Sequence, residues 1–200
     1  MTEWIRFISF SEKKKKFFEK KKIIKQSLAG ESGQDGNIDD GVEIYVDLYK
    51  YLKIGDWNAA EKFLNCRPHA ITAKITDRGY TALHVAAETR HVHIVEELVK
   101  RMSKEDLEIK DSLGCTALAI AAEIGNKRMA ECMLQKNVNL VSIPTNCGMI
   151  PVLLALRNGN LNLAKELYLN TPLEIFVSGT GTMGAGVVIQ AIYNNALGKN

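Results

Sequence analysis

The strongest constraint on this chain is that one block of sequence recurs at a nearly constant spacing. Residues 79–88 (GYTALHVAAE) and 114–123 (GCTALAIAAE) are identical at seven of ten positions, with an offset of 35 residues. A weaker copy begins at Gly148, 34 residues further on. A period of this length is typical of a solenoid, in which each repeat is one supersecondary unit that buries its apolar face only by stacking on its neighbours.

Downstream of each block, apolar residues recur at i, i+1, i+4 and i+5, which places them on one helical face. In the three copies these residues are Ile94, Val95, Leu98 and Val99, then Met129, Ala130, Met133 and Leu134, then Leu163, Ala164, Leu167 and Tyr168. A diverged first copy lies 35 residues upstream, with Leu48, Gly55, Ala59, Ala60, Phe63 and Leu64 in register.

The run from Thr81 to Ala86 (TALHVA) resembles the T-P-L-H-x-A signature of the ankyrin repeat, whose period is about 33 residues. The resemblance covers roughly residues 44–170. It implies an all-α solenoid in which each repeat is a short β-hairpin finger followed by an antiparallel helix pair. The T-A-L-H form, with Gly55-Asp56-Trp57 and Ala73-Lys74-Ile75-Thr76, is most similar to plant ankyrin proteins, many of which continue into a membrane-embedded C-terminal domain.

No apolar run in the sequence approaches the roughly 20 residues that span a bilayer, so membrane anchoring is not carried over from those plant proteins. The sequence predicts a basic leader over residues 1–29, an acidic Gly-rich linker over 30–43 and a repeat domain over 44–200. The repeats are expected at about 44–75, 76–110, 111–144 and 145–178, with a partial fifth at 179–200.

Charge is unevenly distributed along the chain. Residues 1–25 hold nine Lys or Arg and three Glu, whereas residues 31–43 hold five acidic residues and no basic one. The nearly neutral remainder excludes a nucleic-acid platform, which needs clustered cations. The leader segment 11–25 (SEKKKKFFEKKKIIK) has three interpretations: a solvated flexible leader, a weak membrane-surface contact, or a nuclear-localisation signal. The expected location is cytoplasmic, with membrane association as the alternative.

Several positions in the repeat have a local physical role. Gly79, Gly114 and Gly148 end turns that require a positive φ. Three residues before each glycine, a short polar side chain (Thr76, Asp111 or Thr145) is placed to accept a bond from the turn. Thr81 and Thr116 are predicted helix N-caps, and His84 is placed to bond back to Thr81. Arg90 stands where the other copies have glycine, so the turn between the helices of that repeat is expected to differ.

Catalytic and cofactor chemistry is not expected. The four cysteines are scattered and predicted to pack inside as reduced thiols. Cys66 and His69 lie close in sequence without a pocket, and His91 and His93 diverge on a helix, so neither pair predicts a nucleophile or a metal site. The chain is therefore predicted to be a non-enzyme with no metal and no cofactor.

One glycine-rich motif near the end of the sequence could be mistaken for a dinucleotide-binding loop. Residues 179–184 read G-x-G-x-x-G after a strand-like Ile175-Phe176-Val177, which alone would suggest dinucleotide binding. No second strand, no downstream acidic residue and no parallel sheet accompany it. We expect instead a Gly-rich loop that leads into a degenerate fifth repeat, with Val188 and Ala191 at its Leu and Ala positions.

The predicted function is a protein-binding adaptor or scaffold whose partner binds the concave face. The alternative is a membrane-peripheral or membrane-anchored signalling protein of the plant type, here without its transmembrane part. By repeat register, finger tips and exposed first-helix positions form the candidate surface, with Arg78 and Tyr80 expected as anchors. The candidate surface comprises Arg78, Tyr80, Glu88, Thr89, Leu113, Cys115, Glu123, Ile124, Met149, Arg157 and Asn158.

Overall fold

A computed structural model of the protein describes residues 42–177, which lie within one compact unit. This part of the chain forms nine α-helices, and short 3₁₀ segments precede or separate them. The helices are α1 (Val46–Ile54), α2 (Trp57–Cys66), α3 (Ala82–Glu88), α4 (Val92–Arg101), α5 (Ala117–Ile124), α6 (Lys127–Lys136), α7 (Pro151–Arg157), α8 (Leu161–Asn170) and α9 (Leu173–Val177).

The first eight helices form four consecutive pairs that stack side by side. The first helices α1, α3 and α5 each contact the first helix of the following pair, and each first helix, including α7, contacts its own second helix. Alanines allow this close approach: Ala86, Ala87, Ala121 and Ala122 are completely buried. The described residues therefore form an all-α repeat stack, as the sequence predicts. The leader, most of the linker and the partial fifth repeat lie outside them, and the predicted domain boundaries stay a prediction.

Helix starts follow the polar residues that the repeat supplies. The Thr116 hydroxyl accepts a bond from the Ala119 N–H at 3.3 Å. The Asp56 and Asn126 side chains accept in the same way from Ala59 and Met129, at 3.0 and 3.2 Å. Each bond satisfies an N–H that the first turn leaves free, which fixes where the helix begins.

The fingers between helix pairs are tight turns, and no strand forms within residues 42–177. The expectation of β-hairpin fingers is therefore wrong in this respect. Each finger closes with few backbone bonds, such as Ile75 N–H to Tyr80 O at 2.7 Å and Asp111 N–H to Cys115 O at 2.9 Å. Adjacent fingers are joined by single backbone bonds, which is too few to build a ladder.

The predicted acceptors do hold the turns. The Thr76 and Thr145 hydroxyls accept from Tyr80 and Met149 N–H at 3.1 Å each. The Asp111 carboxylate accepts from both Leu113 N–H and Cys115 N–H, at 2.9 and 2.7 Å. These side-chain bonds replace the backbone bonds that a regular hairpin would supply.

Arg90 does not change the turn between α3 and α4. It adopts a φ of 64°, close to the 73° and 74° of Gly125 and Gly159 at the same phase of the next repeats. The expectation of a different turn is wrong, because the arginine adopts the left-handed conformation that glycine adopts in the other repeats. A non-glycine residue there costs about 1 to 2 kcal/mol.

Candidate binding surface

The second repeat contributes a compact group of side chains to the candidate surface. The Tyr80 ring stacks on the His84 ring with centroids 5.5 Å apart, and the Tyr80 hydroxyl donates to Glu88 Oε1 at 3.4 Å. Tyr80 is only 4% exposed, and burial raises the pKa of its hydroxyl. The prediction that Tyr80 is an exposed anchor does not fit this placement, because the aromatic ring fills the space between finger and helix.

Arg78 is exposed at the tip of the same finger but also has a structural role. Its guanidinium carbon lies 4.9 Å from the centre of the Tyr80 ring, and its Nε lies 3.5 Å from Oδ2 of Asp111. The Asp111 side chain is completely buried. Arg78 thus compensates a buried carboxylate in the next finger, so its removal would leave that charge unpaired.

The third and fourth repeats contribute a second connected group. Arg157 Nη2 donates to Glu123 Oε1 at 3.1 Å, and Arg157 Nη1 lies 3.4 Å from the sulfur of Met149. Leu113 projects from the third-repeat finger and is 52% exposed. Cys115 is half-buried, and burial raises the pKa of its thiol to about 11. This thiol therefore stays protonated and packs as a small apolar group.

The remaining members of the candidate surface are held by backbone contacts. The Thr89 hydroxyl donates to Val85 O at 2.7 Å, and the Asn158 amide donates to Leu154 O at 2.9 Å. Ile124 is half-buried against the core. The structure thus connects six of the predicted residues in two groups: Arg78, Tyr80 and Glu88, and Glu123, Arg157 and Met149.

Two residues at the next finger tip were missed by the sequence reasoning. Cys147 stands one position before Gly148, in the phase of Arg78 and Leu113, so the register could have found it. Asn146 stands two positions before Gly148, in the phase of Asp77 and Ser112. Cys147 is exposed. A hydrogen bond with the Thr145 hydroxyl, whose oxygen lies 3.1 Å from the sulfur, lowers the pKa of the Cys147 thiol.

The cysteine prediction is correct only in part. All four cysteines are free, but Cys66 and Cys147 are exposed, and Cys115 and Cys132 are half-buried. Cys66 ends α2 on its solvent side, so it is not the packed residue that was expected. Cys132 lines a groove of about 520 Å³ between α4 and α6, and burial raises the pKa of its thiol. A protonated thiol is a poor nucleophile.

His91 and the residues just before the glycine-rich motif lie in the described part of the chain, and the structure gives both a structural role. His91 Nε2 lies 3.2 Å from Lys53 O of the preceding repeat, so this ring links two repeats. In residues 42–177, no group of three or more His, Cys, Asp or Glu side chains is arranged to hold a metal ion. Ile175, Phe176 and Val177 belong to the helix α9, so the strand-like interpretation is wrong. The G-x-G-x-x-G run lies outside the described residues.

Of the helices between residues 42 and 177, none combines the length and the apolar character that a bilayer-spanning segment requires.

Comparison with known proteins agrees with this geometry. The structure consists of stacked helix pairs, with alanines where the helices meet and with fingers formed by turns. Repeat stacks of this kind are modules that bind other proteins. Residues 48–140 and 97–176 match the family described as ankyrin repeats in three copies, and together these spans exceed half of the chain. The chain therefore belongs to the ankyrin-repeat family, whose members are non-enzymatic protein–protein interaction modules.

Two curated relatives resemble parts of the chain. The mouse B-cell lymphoma 3 protein homolog is 28% identical over 94 residues, which is 46% of this chain and 21% of that protein. The ankyrin repeat-containing protein ITN1 of Arabidopsis thaliana is 34% identical over 71 residues, which is 36% of this chain and 12% of that protein. The chain thus matches 21% and 12% of the length of these relatives, one from an animal and one from a plant.

Proposed function

We propose that the protein is an adaptor or scaffold that binds a protein partner through the candidate surface. The observation that supports this most is the connection of neighbouring repeats on that side of the stack. The Arg78–Asp111 and Glu123–Arg157 ion pairs each join one repeat to the next. Side chains held across repeats form a preorganised surface, which lowers the entropic cost of binding.

The second helices present both ion pairs between repeats and exposed apolar side chains, the latter including Leu161 and Leu169 on α8. Ion pairs also link the second helices, between Arg101 and Glu61, Arg128 and Glu96, and Lys127 and Glu166. Charged rims of this kind contribute little affinity, whereas exposed apolar side chains surrounded by ordered neighbours are typical of interface centres. Leu113 meets that description on the candidate surface.

The test is affinity capture from cell lysate with the full chain, followed by mass spectrometry. The surface variant is Leu113→Glu/Glu123→Arg, and the matched control is Lys165→Glu, an exposed charge reversal on α8. Tyr80 and Arg78 are left unchanged because their packing roles would confound the result. We expect proteins captured by the wild type and the control to be lost from the surface variant. Equal capture by all three would contradict the proposal.

The second candidate function is a membrane-peripheral or membrane-anchored signalling protein of the plant ankyrin type. Its support is the lysine-rich segment 11–25 and the Arabidopsis relative. Lysines near an anionic surface contribute about 1 kcal/mol each, and this attraction is screened by salt. This function predicts that the protein binds phosphatidylserine vesicles, that salt weakens this binding and that deletion of residues 1–29 abolishes it. Absence of vesicle binding would contradict the membrane-peripheral form of this function.

A further inference from the structure

Asn158 and Gly159 form the only Asn-Gly dipeptide in the 200-residue sequence, and they lie in the turn between α7 and α8. An asparagine that precedes glycine is open to deamidation, because glycine has no Cβ to hinder attack by its own backbone nitrogen. Asn158 is exposed to solvent. The dipeptide is therefore a candidate site of spontaneous chemical modification.

The reaction requires no enzyme and no co-reactant other than water. The backbone nitrogen of Gly159 attacks Cγ of Asn158, the proton of that nitrogen passes to the side-chain nitrogen, and ammonia leaves. Water then opens the resulting succinimide ring at either carbonyl, which gives aspartate or isoaspartate. In both products a carboxylate replaces the side-chain amide.

The folded turn holds both reacting groups in hydrogen bonds. The Gly159 N–H donates to Leu156 O at 3.0 Å, and the Asn158 side-chain amide donates to Leu154 O at 2.9 Å. The attacking nitrogen must give up its proton and the amide nitrogen must leave, so both bonds are lost in the course of the reaction. Ring closure therefore requires this turn to open locally.

The preceding repeat holds the turn closed through Asn160. The Asn160 side-chain amide donates to Ala122 O at 3.1 Å and to Glu123 O at 3.0 Å, near the C-terminal end of α5. The Asn160 N–H also donates to Ala155 O at 2.9 Å. Removal of the Asn160 side chain would release the turn from α5 and leave the backbone bond in place.

We propose that Asn158 is a deamidation site whose reaction rate is controlled by local opening of the turn between α7 and α8. The bonds from Asn160 to the preceding repeat keep the turn closed and so protect the amide. A carboxylate at position 158 cannot donate to Leu154 O, so the reaction also weakens the end of α7. It adds a negative charge one position after Arg157, within the candidate surface.

The experiment incubates the full chain at mildly alkaline pH, folded in buffer or unfolded in urea, and follows Asn158 by peptide mapping with mass spectrometry. The test variant is Asn160→Ala. The matched control is Asp56→Ala, at the same phase of the first helix pair, where the carboxylate caps α2. Gly159→Ala is measured in urea only, where the backbone strain of the folded turn plays no part. Circular dichroism and urea unfolding give the fold and the global stability of the other two variants.

In urea, Asn158 should deamidate faster than every other asparagine of the chain, and Gly159→Ala should slow this reaction. The folded wild type should react at least about tenfold more slowly than the unfolded chain. Asn160→Ala should raise the folded rate about threefold or more, because it loses two side-chain bonds that hold the turn. Asp56→Ala should change that rate less than about twofold, because distant sites act independently.

Several results would overturn the proposal. Slow reaction of Asn158 in urea, or no effect of Gly159→Ala there, would remove the site itself. Equal rates in the folded and unfolded wild type, or no acceleration by Asn160→Ala, would contradict control by this turn. Equal acceleration by Asn160→Ala and Asp56→Ala would assign control to global unfolding instead.

Hydrogen exchange of the Gly159 amide in the wild type tests the same control without a variant. Exchange in the folded chain should be at least about tenfold slower than in the unfolded chain, because the bond to Leu156 O must open first. An unprotected Gly159 amide would contradict the proposal.

Discussion

At the scale of single residues, His84 links two repeats through both ring nitrogens. Its Nδ1 lies 3.3 Å from the backbone nitrogen and 2.8 Å from the hydroxyl of Thr81, and its Nε2 lies 3.0 Å from Cys115 O. A carbonyl only accepts, so Nε2 carries the proton and Nδ1 accepts from Thr81. Burial disfavours the cation and lowers the pKa of His84, and a second proton on Nδ1 would also face the Thr81 N–H, which can only donate.

This arrangement predicts a loss of stability in mild acid. Because the folded-state pKa lies below the unfolded-state value of about 6.5, the contribution of His84 is complete above that value. This stabilising contribution is lost as the pH falls from about 6.5 through the folded-state pKa, since over this range only the unfolded chain takes up the proton. Urea unfolding at a series of pH values should show this decline in the wild type.

The controls for this prediction are His84→Ala and His93→Ala, the latter at an exposed position. His84→Ala should lower the free energy of unfolding by about 1 to 3 kcal/mol at neutral pH and flatten the acid decline. His93→Ala should leave both nearly unchanged. Equal pH dependence in the wild type and His84→Ala would show that this ring does not control acid stability.

At the scale of elements, the fingers differ in how closely they pack on each other. Gly114 and Gly148 have almost the same φ, 76° and 77°. A Cβ on Gly114 would lie 2.5 Å from the backbone nitrogen of Asn146, whereas a Cβ on Gly148 would meet no atom of the described residues 42–177 within 4 Å. Asn146 joins the two fingers through its N–H to Leu113 O and its amide to Ser112 O, each at 3.0 Å.

The two glycines therefore form a matched pair for measuring finger contact. Alanine at either position incurs the left-handed backbone cost of about 1 to 2 kcal/mol. Gly114→Ala should cost at least about 1 to 2 kcal/mol more, because the clash also displaces the Asn146 bonds. Chemical denaturation of both variants gives the difference directly. A cost at Gly148 equal to that at Gly114 would show that the fingers are not coupled by this contact.

At the scale of the whole molecule, the repeat period was sufficient to predict the stack and its helix pairs. The 35-residue offset identifies the equivalent residues of successive repeats. The equivalent alanines are buried in both copies, and the equivalent threonines stand where the first helices begin. The repeat register does not predict how an individual side chain packs. Tyr80 and Cys115 share one phase, yet Tyr80 is buried against His84, and only the second repeat has that histidine.

Other misses have the same origin. Arg90 adopts a left-handed conformation although it is not glycine. The next residue, His91, contacts Lys53 O of the preceding repeat, and this contact is not visible in a local pattern. Arg78 was predicted as a partner-binding anchor, and the structure shows that it also faces the buried carboxylate of Asp111 in the following finger. Contacts between repeats thus decide which members of the candidate surface remain available.

The most direct measurement is site-specific photo-crosslinking in cell lysate, with a photoreactive phenylalanine analogue placed singly at Leu113 or at Leu169. Both positions are exposed and apolar, and only Leu113 belongs to the candidate surface. We expect a discrete covalent adduct with a partner protein from position 113 and none from position 169. Adducts from position 169 alone, or equally from both, would contradict binding through the candidate surface.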